Sequence, residues 1–285
     1  MAVNSFPSVK TLGYYRKMKL DNCSALITGA SAGIGREFAR RLAGRARSIA
    51  LVARRRERLE QLRNELINRN RNLSVHVYDV DLADKTQVDA LIESLARDKI
   101  DIDLLINNAG LGDLGAFASS DPDRNDAMLL VNVLALTTLT RKLLPQMIAR
   151  KRGAILNVSS LAGFLPIPGT AVYAATKAYV NSLSEALRAE SRGCGVIVTA
   201  LCPGPVHTEF QEVASRPGRK VKPGPGPDFL HVPVEQVVRD ALAAVQADRP
   251  LVIPGLAMKL GMFLVRLTPM SILRRAWRFS AKRGR

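Results

Sequence analysis

The sequence is poor in the residues from which metal centres and disulfide frameworks are built. It has three histidines and three cysteines among 285 residues. The histidines form no cluster, and the cysteines are odd in number and lack metal-ligand spacing. We therefore expect no metal site, and free thiols in a reducing compartment. These residues are His76, His207, His231, Cys23, Cys194 and Cys202.

Long hydrophobic runs are also missing. The first 20 residues contain no continuous apolar segment of the kind found in secretory signals. The longest uncharged stretch, Gly153 to Thr176, includes prolines and polar residues and opens as a strand, so we predict no membrane span there. Together with the free thiols, this pattern predicts a cytoplasmic protein.

Acidic residues are scarce beside basic ones. The chain has 25 Asp and Glu against 42 Lys and Arg, a formal net charge of +17, and no acid follows Asp248. Such a balance favours an anionic partner, namely a phosphorylated cofactor, a membrane surface or nucleic acid, although simple solubility explains it as well. No helix-turn-helix or aromatic RNA-binding motif is recognisable, so we expect no nucleic-acid partner.

Short apolar runs alternate with longer helical patterns along most of the chain. The strands are expected at Ser24–Thr28, Ser48–Ala53, Leu73–Tyr78, Asp103–Ile106, Ala154–Val158, Val196–Leu201 and Leu251–Ile253. The helices are expected at Ile34–Leu42, Arg55–Arg69, Lys85–Arg97, Arg124–Arg150, Ala171–Ser191 and Val234–Gln246. This alternation predicts an α/β fold, a single doubly wound (Rossmann) domain with a mostly parallel seven-stranded sheet and helices on both faces.

The domain is expected to cover residues 21–255. Residues 1–20 form an N-terminal extension, and residues 256–285 form a basic amphipathic C-terminal extension. A stretch rich in proline and glycine near residues 204–233 is expected to be a substrate lid, because loops of that length inside compact domains are usually functional or disordered.

The first strand runs into a glycine-rich turn, Thr28–Gly35, that opens a helix. Glycines at such a turn let the backbone approach a pyrophosphate, which the helix N-terminus attracts. The spacing is Gly-x-x-x-Gly-x-Gly, which differs from the commoner Gly-x-Gly-x-x-Gly fingerprint. A tight turn with no ligand is the alternative interpretation.

Four motifs, in order, resemble those of the short-chain dehydrogenase/reductase family. They are TGxxxGIG at Thr28–Gly35, NNAG at Asn107–Gly110, Tyr-x-x-x-Lys at Tyr173–Lys177 and PGxVxT at Pro203–Thr208. The resemblance implies an oxidoreductase that moves a hydride between a nicotinamide cofactor and a carbonyl or alcohol. It implies cofactor contacts at Gly29, Gly33, Ile34, Gly35, Asp81 (adenine), Asn107 (ribose), Val206 and Thr208 (nicotinamide amide).

The end of the second strand indicates which cofactor is bound. NAD-binding members of such folds carry an acid there that pairs with the ribose 2′-hydroxyl, whereas this chain has Ala53 followed by Arg54 and Arg55. A guanidinium suits a phosphate, so NADP(H) is predicted, with Arg54 as the phosphate clamp and Ser31 as a helper. The alternative is that these arginines merely begin a solvated helix.

The catalytic residues are expected on a helix and its neighbouring loops. Tyr173 and Lys177 are four residues apart and therefore share a helix face, so the lysine can favour ionisation of a phenol whose ordinary pKa is about 10. The resemblance implies that Lys177 also binds the nicotinamide ribose, that Ser160 orients the substrate, and that Asn132 holds a water in the proton relay.

The substrate and the partners follow less directly. Apolar Leu161, Phe164, Leu165 and Pro166 favour a lipophilic ketone, although motifs of this family do not encode the substrate. A non-catalytic NADP-binding sensor or scaffold is the alternative. The resemblance also implies a homodimer or homotetramer formed through the helices at 124–150 and 171–191. The basic C-terminal extension either packs on protein or makes peripheral contact with an anionic membrane.

Overall fold

Seven apolar segments form the strands of one sheet. The computed structural model describes residues 18–216 and 231–275. The strands are β1 Ser24–Thr28, β2 Ser48–Ala53, β3 Ser74–Asp79, β4 Leu104–Asn107, β5 Gly153–Val158, β6 Val196–Leu201 and β7 Leu251–Val252. All pairs are parallel, in the order β3-β2-β1-β4-β5-β6-β7. The doubly wound fold is therefore confirmed, with its switch of strand order between β1 and β4.

Helices cover both faces of this sheet. The helices beside the strands are α1 Gly33–Leu42, α2 Arg56–Arg69, α3 Lys85–Arg97, α4 Pro122–Leu129, α5 Leu136–Ala149, α6 Ala171–Glu190, α7 Phe210–Ala214, α8 Val234–Gln246 and α9 Leu256–Leu267. Along β1, Ala25 and Ile27 belong to the core shared with α1, α2 and α8, whereas Leu26 belongs to the core shared with α3 and α5. The alternation follows from the two-residue period of a strand.

The long helix expected over 124–150 is interrupted. A π-helical turn, Leu130–Ala135, joins α4 to α5 and contains Asn132. The Asn132 amide bonds both backbone groups of Leu111, at 2.8 Å and 2.9 Å, so the helix is pinned to the loop after β4 at this turn. Such a turn inserts an extra residue, which a 3.6-residue periodicity does not reveal.

Two helices lie outside the expected pattern. Helix α7 falls within the segment expected to be a lid, whose residues 217–230 lie outside the described residues. Helix α9 begins where the C-terminal extension was expected, and its Met258, Met262 and Val265 pack near β6 and β7. Residues 1–17 of the N-terminal extension and residues 276–285 of the C-terminal extension also lie outside the described part.

Within residues 18–216 and 231–275, one helical segment, Pro122–Ala149, is long and apolar enough to cross a membrane by length and composition. Its Met128, Leu139 and Leu143 are buried within the protein. A core helix of a soluble domain passes the same test, and the burial of these side chains fits that explanation.

Candidate active site

A large cleft opens at the carboxyl ends of β1, β4, β5 and β6. Its volume is about 1840 Å³. Residues from the loops that follow these strands line it, including Gly29, Asn108, Ser159 and Pro203. In open parallel sheets, ligands bind outside the carboxyl ends of the strands near the switch of strand order. The topology therefore brings the four sequence motifs to one place.

The glycine-rich turn forms the floor of the cofactor end of the cleft. Gly29 has φ +66°, and a Cβ there would lie 2.9 Å from the Cα of Ala109, so only glycine fits. Asn108 braces the turn by donating its side-chain amide to the carbonyls of Thr28 at 2.8 Å and Gly29 at 3.3 Å. Hydrogen bonds from the second motif thus hold the backbone of the first motif in place.

The N-terminus of α1 faces this end of the cleft. Ser31, Gly33 and Ile34 line the cleft, and the helix has no side-chain cap, so its first N–H groups are open to an anion. Gly35 does not line the cleft, because it packs beneath the Gly29 carbonyl.

The two arginines that follow β2 contact different partners. Arg54, expected to be the phosphate clamp, is 61% exposed, and its Nη1 lies 4.0 Å from Oδ2 of Asp81. Arg55 instead reaches the glycine-rich turn, where its Nη2 donates to Ser31 Oγ at 3.0 Å. The structure therefore places the second arginine, and not the first, beside the expected helper.

Asn107 lies elsewhere than expected. Its side chain is buried and donates to Thr140 Oγ1 at 3.0 Å and to Asn157 Oδ1 at 2.9 Å. The sequence placed it beside the adenosine ribose, and this is corrected, because the last residue of β4 points into the core while the next residue faces the cleft. Asp81 does line the cleft, as do Val206 and Thr208.

Three polar side chains meet at the other end of the cleft. Ser160 follows β5, and its Oγ accepts from the backbone of Ala162 at 3.1 Å. Gly163 lets this turn approach α6 closely, since a Cβ there would lie 2.6 Å from the Lys177 carbonyl. Ser160 and Tyr173 both line this end of the cleft, and the Ser160 hydroxyl is close enough to lower the pKa of the Tyr173 phenol. Neighbouring Ser159 is turned inward, donating to the Lys177 carbonyl at 3.0 Å.

Burial shifts the two titrating groups in opposite directions. It raises the pKa of the Tyr173 phenol to about 12, against the lowering effect of the Ser160 hydrogen bond. It lowers the pKa of Lys177 to about 8. The ammonium lies 5.7 Å from the Tyr173 ring centroid and donates to the Val158 carbonyl at 2.9 Å. Both shifts follow from desolvation, which penalises the charged form of each group.

Asn132 lies near Lys177 but is held by protein atoms. Besides its two bonds to Leu111, its Nδ2 donates to Thr176 Oγ1 at 3.0 Å. The absent side chain of Gly110 leaves space beside both groups, because a Cβ there would lie 3.4 Å from Asn132 Oδ1 and 3.4 Å from Lys177 Nζ.

Helix α7 covers Tyr173, which the sequence did not reveal. The ring of Phe210 lies 5.5 Å from the Tyr173 ring, centroid to centroid. The other end of α7 is held by Arg216, which donates to buried Asp113 at 2.5 Å, and by Arg124, which donates to the Val213 carbonyl. These contacts join residues about 90 to 100 positions apart in the sequence, so local sequence patterns do not predict them.

Comparisons with known proteins agree with this geometry. The family profile described as short chain dehydrogenase matches residues 24–217. A sulfoacetaldehyde reductase of Chromohalobacter salexigens is 43% identical over 187 residues, which are 65% of this chain and 72% of that protein.

Two solved structures share the whole fold. A short-chain dehydrogenase from Sphingobium yanoikuyae in complex with NADPH is 30% identical, with a TM-score of 0.77 over 88% of this chain and 95% of that chain. A bulky-bulky ketone specific alcohol dehydrogenase from Comamonas testosteroni is 28% identical, with a TM-score of 0.73 over 88% and 94% of the two chains. This protein belongs to the short-chain dehydrogenase family of oxidoreductases.

Proposed function

We propose that this protein is an NADPH-dependent reductase of a lipophilic ketone, with Tyr173 as the proton donor. The observation that carries the proposal is the arrangement of the cleft. Ser160, Tyr173 and Lys177 meet at one end, and Arg55 bonded to Ser31 stands at the other. A dinucleotide cofactor placed along such a cleft has its phosphates on the glycine-rich turn and its reactive end near the tyrosine.

The side chains present fit the chemistry of ketone reduction. NADPH, when bound, supplies the hydride to the carbonyl carbon. The hydroxyls of Ser160 and Tyr173 hold the carbonyl oxygen, and Tyr173 donates its proton to that oxygen as negative charge develops on it. Lys177 stabilises the resulting phenolate with its positive charge. Asn132 fixes the loop after β4, and we propose that the space at Gly110 holds the relay water that returns a proton toward Lys177.

Three observations support NADP(H) over NAD(H). The strand end that carries an acid in NAD-binding proteins carries Ala53 here. Arg55 lies beside Ser31, where a 2′-phosphate can accept from both side chains. The Sphingobium yanoikuyae structure contains NADPH. One charge-assisted bond contributes about 1.5–3 kcal/mol, so fluorescence titration should show roughly ten- to a hundredfold tighter binding of NADPH than of NADH.

The preference for a lipophilic ketone is supported by the lining near Tyr173. Leu114, Leu161, Ile167, Phe210 and Val213 line this end of the cleft. The Comamonas testosteroni enzyme, described as specific for bulky-bulky ketones, has the same fold. An apolar lining of this kind favours substrates with apolar groups on both sides of the carbonyl.

The test is the effect of Tyr173→Phe on NADPH oxidation with a panel of bulky ketones. Turnover should fall at least about a hundredfold, because general-acid catalysis contributes roughly 10² to 10⁴, while the NADPH dissociation constant stays the same. Tyr179→Phe is the matched control, since Tyr179 lies on the same helix but bonds Thr137 at 2.9 Å outside the cleft. Wild-type protein that binds NADPH yet turns over no ketone would favour the sensor or scaffold alternative.

We also propose a cytoplasmic homodimer or homotetramer with a peripheral membrane contact through α9. An apolar face on α4, α5 and α6 supports the first part. Five exposed apolar side chains on α9 support the second part, together with the absence of acids after Asp248. These residues are Leu256, Leu260, Phe263, Leu264 and Leu267.

A further inference from the structure

Glu209 places a carboxylate at the cofactor end of the cleft, between two arginines. Arg55 Nη1 donates to Glu209 Oε2 at 3.0 Å. Arg58 Nη1 donates to both carboxylate oxygens, at 2.7 Å and 2.8 Å. These two guanidinium groups hold the pKa of Glu209 below its usual range, so the side chain is an anion at neutral pH.

The same guanidinium of Arg55 serves two different partners. Its Nη2 bonds Ser31 in the glycine-rich turn while its Nη1 bonds Glu209. All three residues line the cleft. The Glu209 carboxylate is therefore bound to Arg55, one of the two side chains that would donate hydrogen bonds to a cofactor phosphate.

Glu209 also begins the helix that covers the proton donor. It is the N-terminal cap residue of α7, and the next residue, Phe210, packs on the Tyr173 ring. Its ion pairs thus tie the start of α7 to α2, across the cleft. The 154 positions between Arg55 and Glu209 make this contact invisible to local sequence patterns.

A 2′-phosphate and the Glu209 carboxylate cannot both use Arg55 without repulsion. The phosphate carries between about one and a half and two negative charges at pH 7. It accepts from Arg55 and Ser31 with more oxygens and more charge than a carboxylate offers. An NAD(H) molecule has only a hydroxyl at this position and therefore does not compete for the arginine.

We infer that Glu209 is a specificity-determining residue that occupies the 2′-phosphate position in the free enzyme and is displaced by NADP(H) but not by NAD(H). The inference rests on the cofactor choice proposed above. It makes Glu209 an internal competitor that weakens NADPH binding while leaving NADH binding unchanged. When the 2′-phosphate displaces Glu209 from Arg55, the start of α7 is also released from α2. This release occurs only with the phosphorylated cofactor.

The experiment compares Glu209→Gln with Glu212→Gln. Glutamine keeps the size of the side chain and removes its charge, and Glu212 is an exposed acid three residues further along without an ion pair among the described residues. Dissociation constants of NADPH and NADH are measured by fluorescence titration at low salt. E209Q should bind NADPH about threefold to thirtyfold more tightly, since two exposed ion pairs no longer compete, and should bind NADH as wild type does. E212Q should leave both constants unchanged.

A second probe locates the effect at the phosphate. Adenosine 2′,5′-bisphosphate carries the 2′-phosphate without the nicotinamide, and it should show the same gain in E209Q, whereas 5′-AMP should show none. Weaker binding of both reduced cofactors by E209Q would mean that Glu209 helps to hold the bound cofactor. Unchanged binding would mean that its ion pairs have no effect on cofactor affinity. Either result overturns the inference. Tighter binding of NADH than of NADPH by the wild type would instead overturn the cofactor choice.

Discussion

At the scale of single residues, Tyr173 and Lys177 show how one environment prepares two groups for different tasks. Burial keeps the phenol protonated by raising its pKa to about 12, so the proton to be donated is present at neutral pH. The same burial lowers the pKa of Lys177 to about 8, so its charge is lost at a much lower pH than that of an exposed lysine. We therefore expect the proposed reaction to depend on pH through the lysine and not through the tyrosine.

The pH dependence of ketone reduction should reflect this lysine. Because the useful form of Lys177 is the cation, kcat/KM should be level below the pKa of about 8 and fall as the pH rises through it. Tyr173 stays protonated throughout that range, since its pKa of about 12 is higher. Steady-state rates of NADPH oxidation between pH 6 and pH 10 would measure the profile, where the end points are about two units either side of that pKa.

Lys177→Arg provides the control for this assignment. Arginine remains charged at every pH in the range, so the variant should lose most of its turnover but also lose the alkaline fall in kcat/KM. An alkaline fall at the same pH in wild type and in K177R would assign the titration to another group, and the role proposed for Lys177 would then be wrong.

The sequence pointed to Tyr173 and Lys177 through the resemblance to a known motif, and their local spacing explains why both lie at one place. Tyr173 and Lys177 lie one helical turn apart, so a helix alone brings them together. The choice between Arg54 and Arg55, and between Asn107 and Asn108, could not be made in the same way. For the asparagines it depends on which of two adjacent residues faces the cleft at the end of β4. For the arginines, which both line the cleft, it depends on which guanidinium reaches Ser31.

At the scale of elements, the strands and most helices were predictable from periodicity. β1, β2, α3, β6 and α8 begin and end at the residues expected, because their apolar repeats are regular. The π-helical turn and α7 were not found. The turn is held by side-chain bonds from Asn132 to a distant loop, and α7 has only five residues, too few for a repeat.

Helix α9 has two apolar faces of different character. Met258, Met262 and Val265 pack on the protein, with Met258 beside Gly204 at the edge of the cleft. The other face, formed by the five α9 residues named above, is exposed, and its members recur every three or four positions. Lys259 and Arg266 lie on the same helix. An amphipathic helix with basic residues and no acids is typical of attachment to an anionic membrane surface.

Phe263→Glu combined with Leu264→Glu should abolish sedimentation with anionic liposomes. The change removes apolar area and adds two negative charges. An anionic membrane attracts each basic residue near its surface by about 1 kcal/mol, and it repels the new carboxylates. Phe117→Glu, a similar change at a side chain 64% exposed elsewhere, is the control and should sediment as wild type does. NADPH affinity should be equal in all three proteins. Full-length wild type that ignores such liposomes at low salt would contradict the proposal.

At the scale of the whole molecule, α4, the π-helical turn, α5 and α6 form a second exposed apolar surface. The segment from 122 to 149 buries one side in the protein and leaves Leu129, Leu134 and Ile148 exposed on the other, and Tyr179 on α6 is exposed as well. Exposed side chains of this size on neighbouring helices are typical of a contact between subunits. The resemblance to short-chain dehydrogenases implies pairing through the same helices, which supports the same surface independently of its exposure.

The surface used for assembly is tested by comparing two sets of variants. Light scattering of the wild type at micromolar concentration should give at least twice the 31.0 kDa of one chain. Leu129→Glu with Leu134→Glu should give a single chain, because burying two carboxylates without partners costs several kcal/mol per charge, whereas the α9 pair of glutamates should leave the mass unchanged.

The opposite pattern would exchange the roles of the two surfaces. If the α9 variant were monomeric and the Leu129 and Leu134 variant remained assembled, the exposed face of α9 would be covered by a second copy of the chain and would not be available to a membrane. A wild type of 31.0 kDa would contradict assembly altogether. Since the two surfaces lie on different helices, α4 to α6 and α9, the masses show which surface joins the subunits, and the liposome result then tests whether the exposed face of α9 binds a membrane.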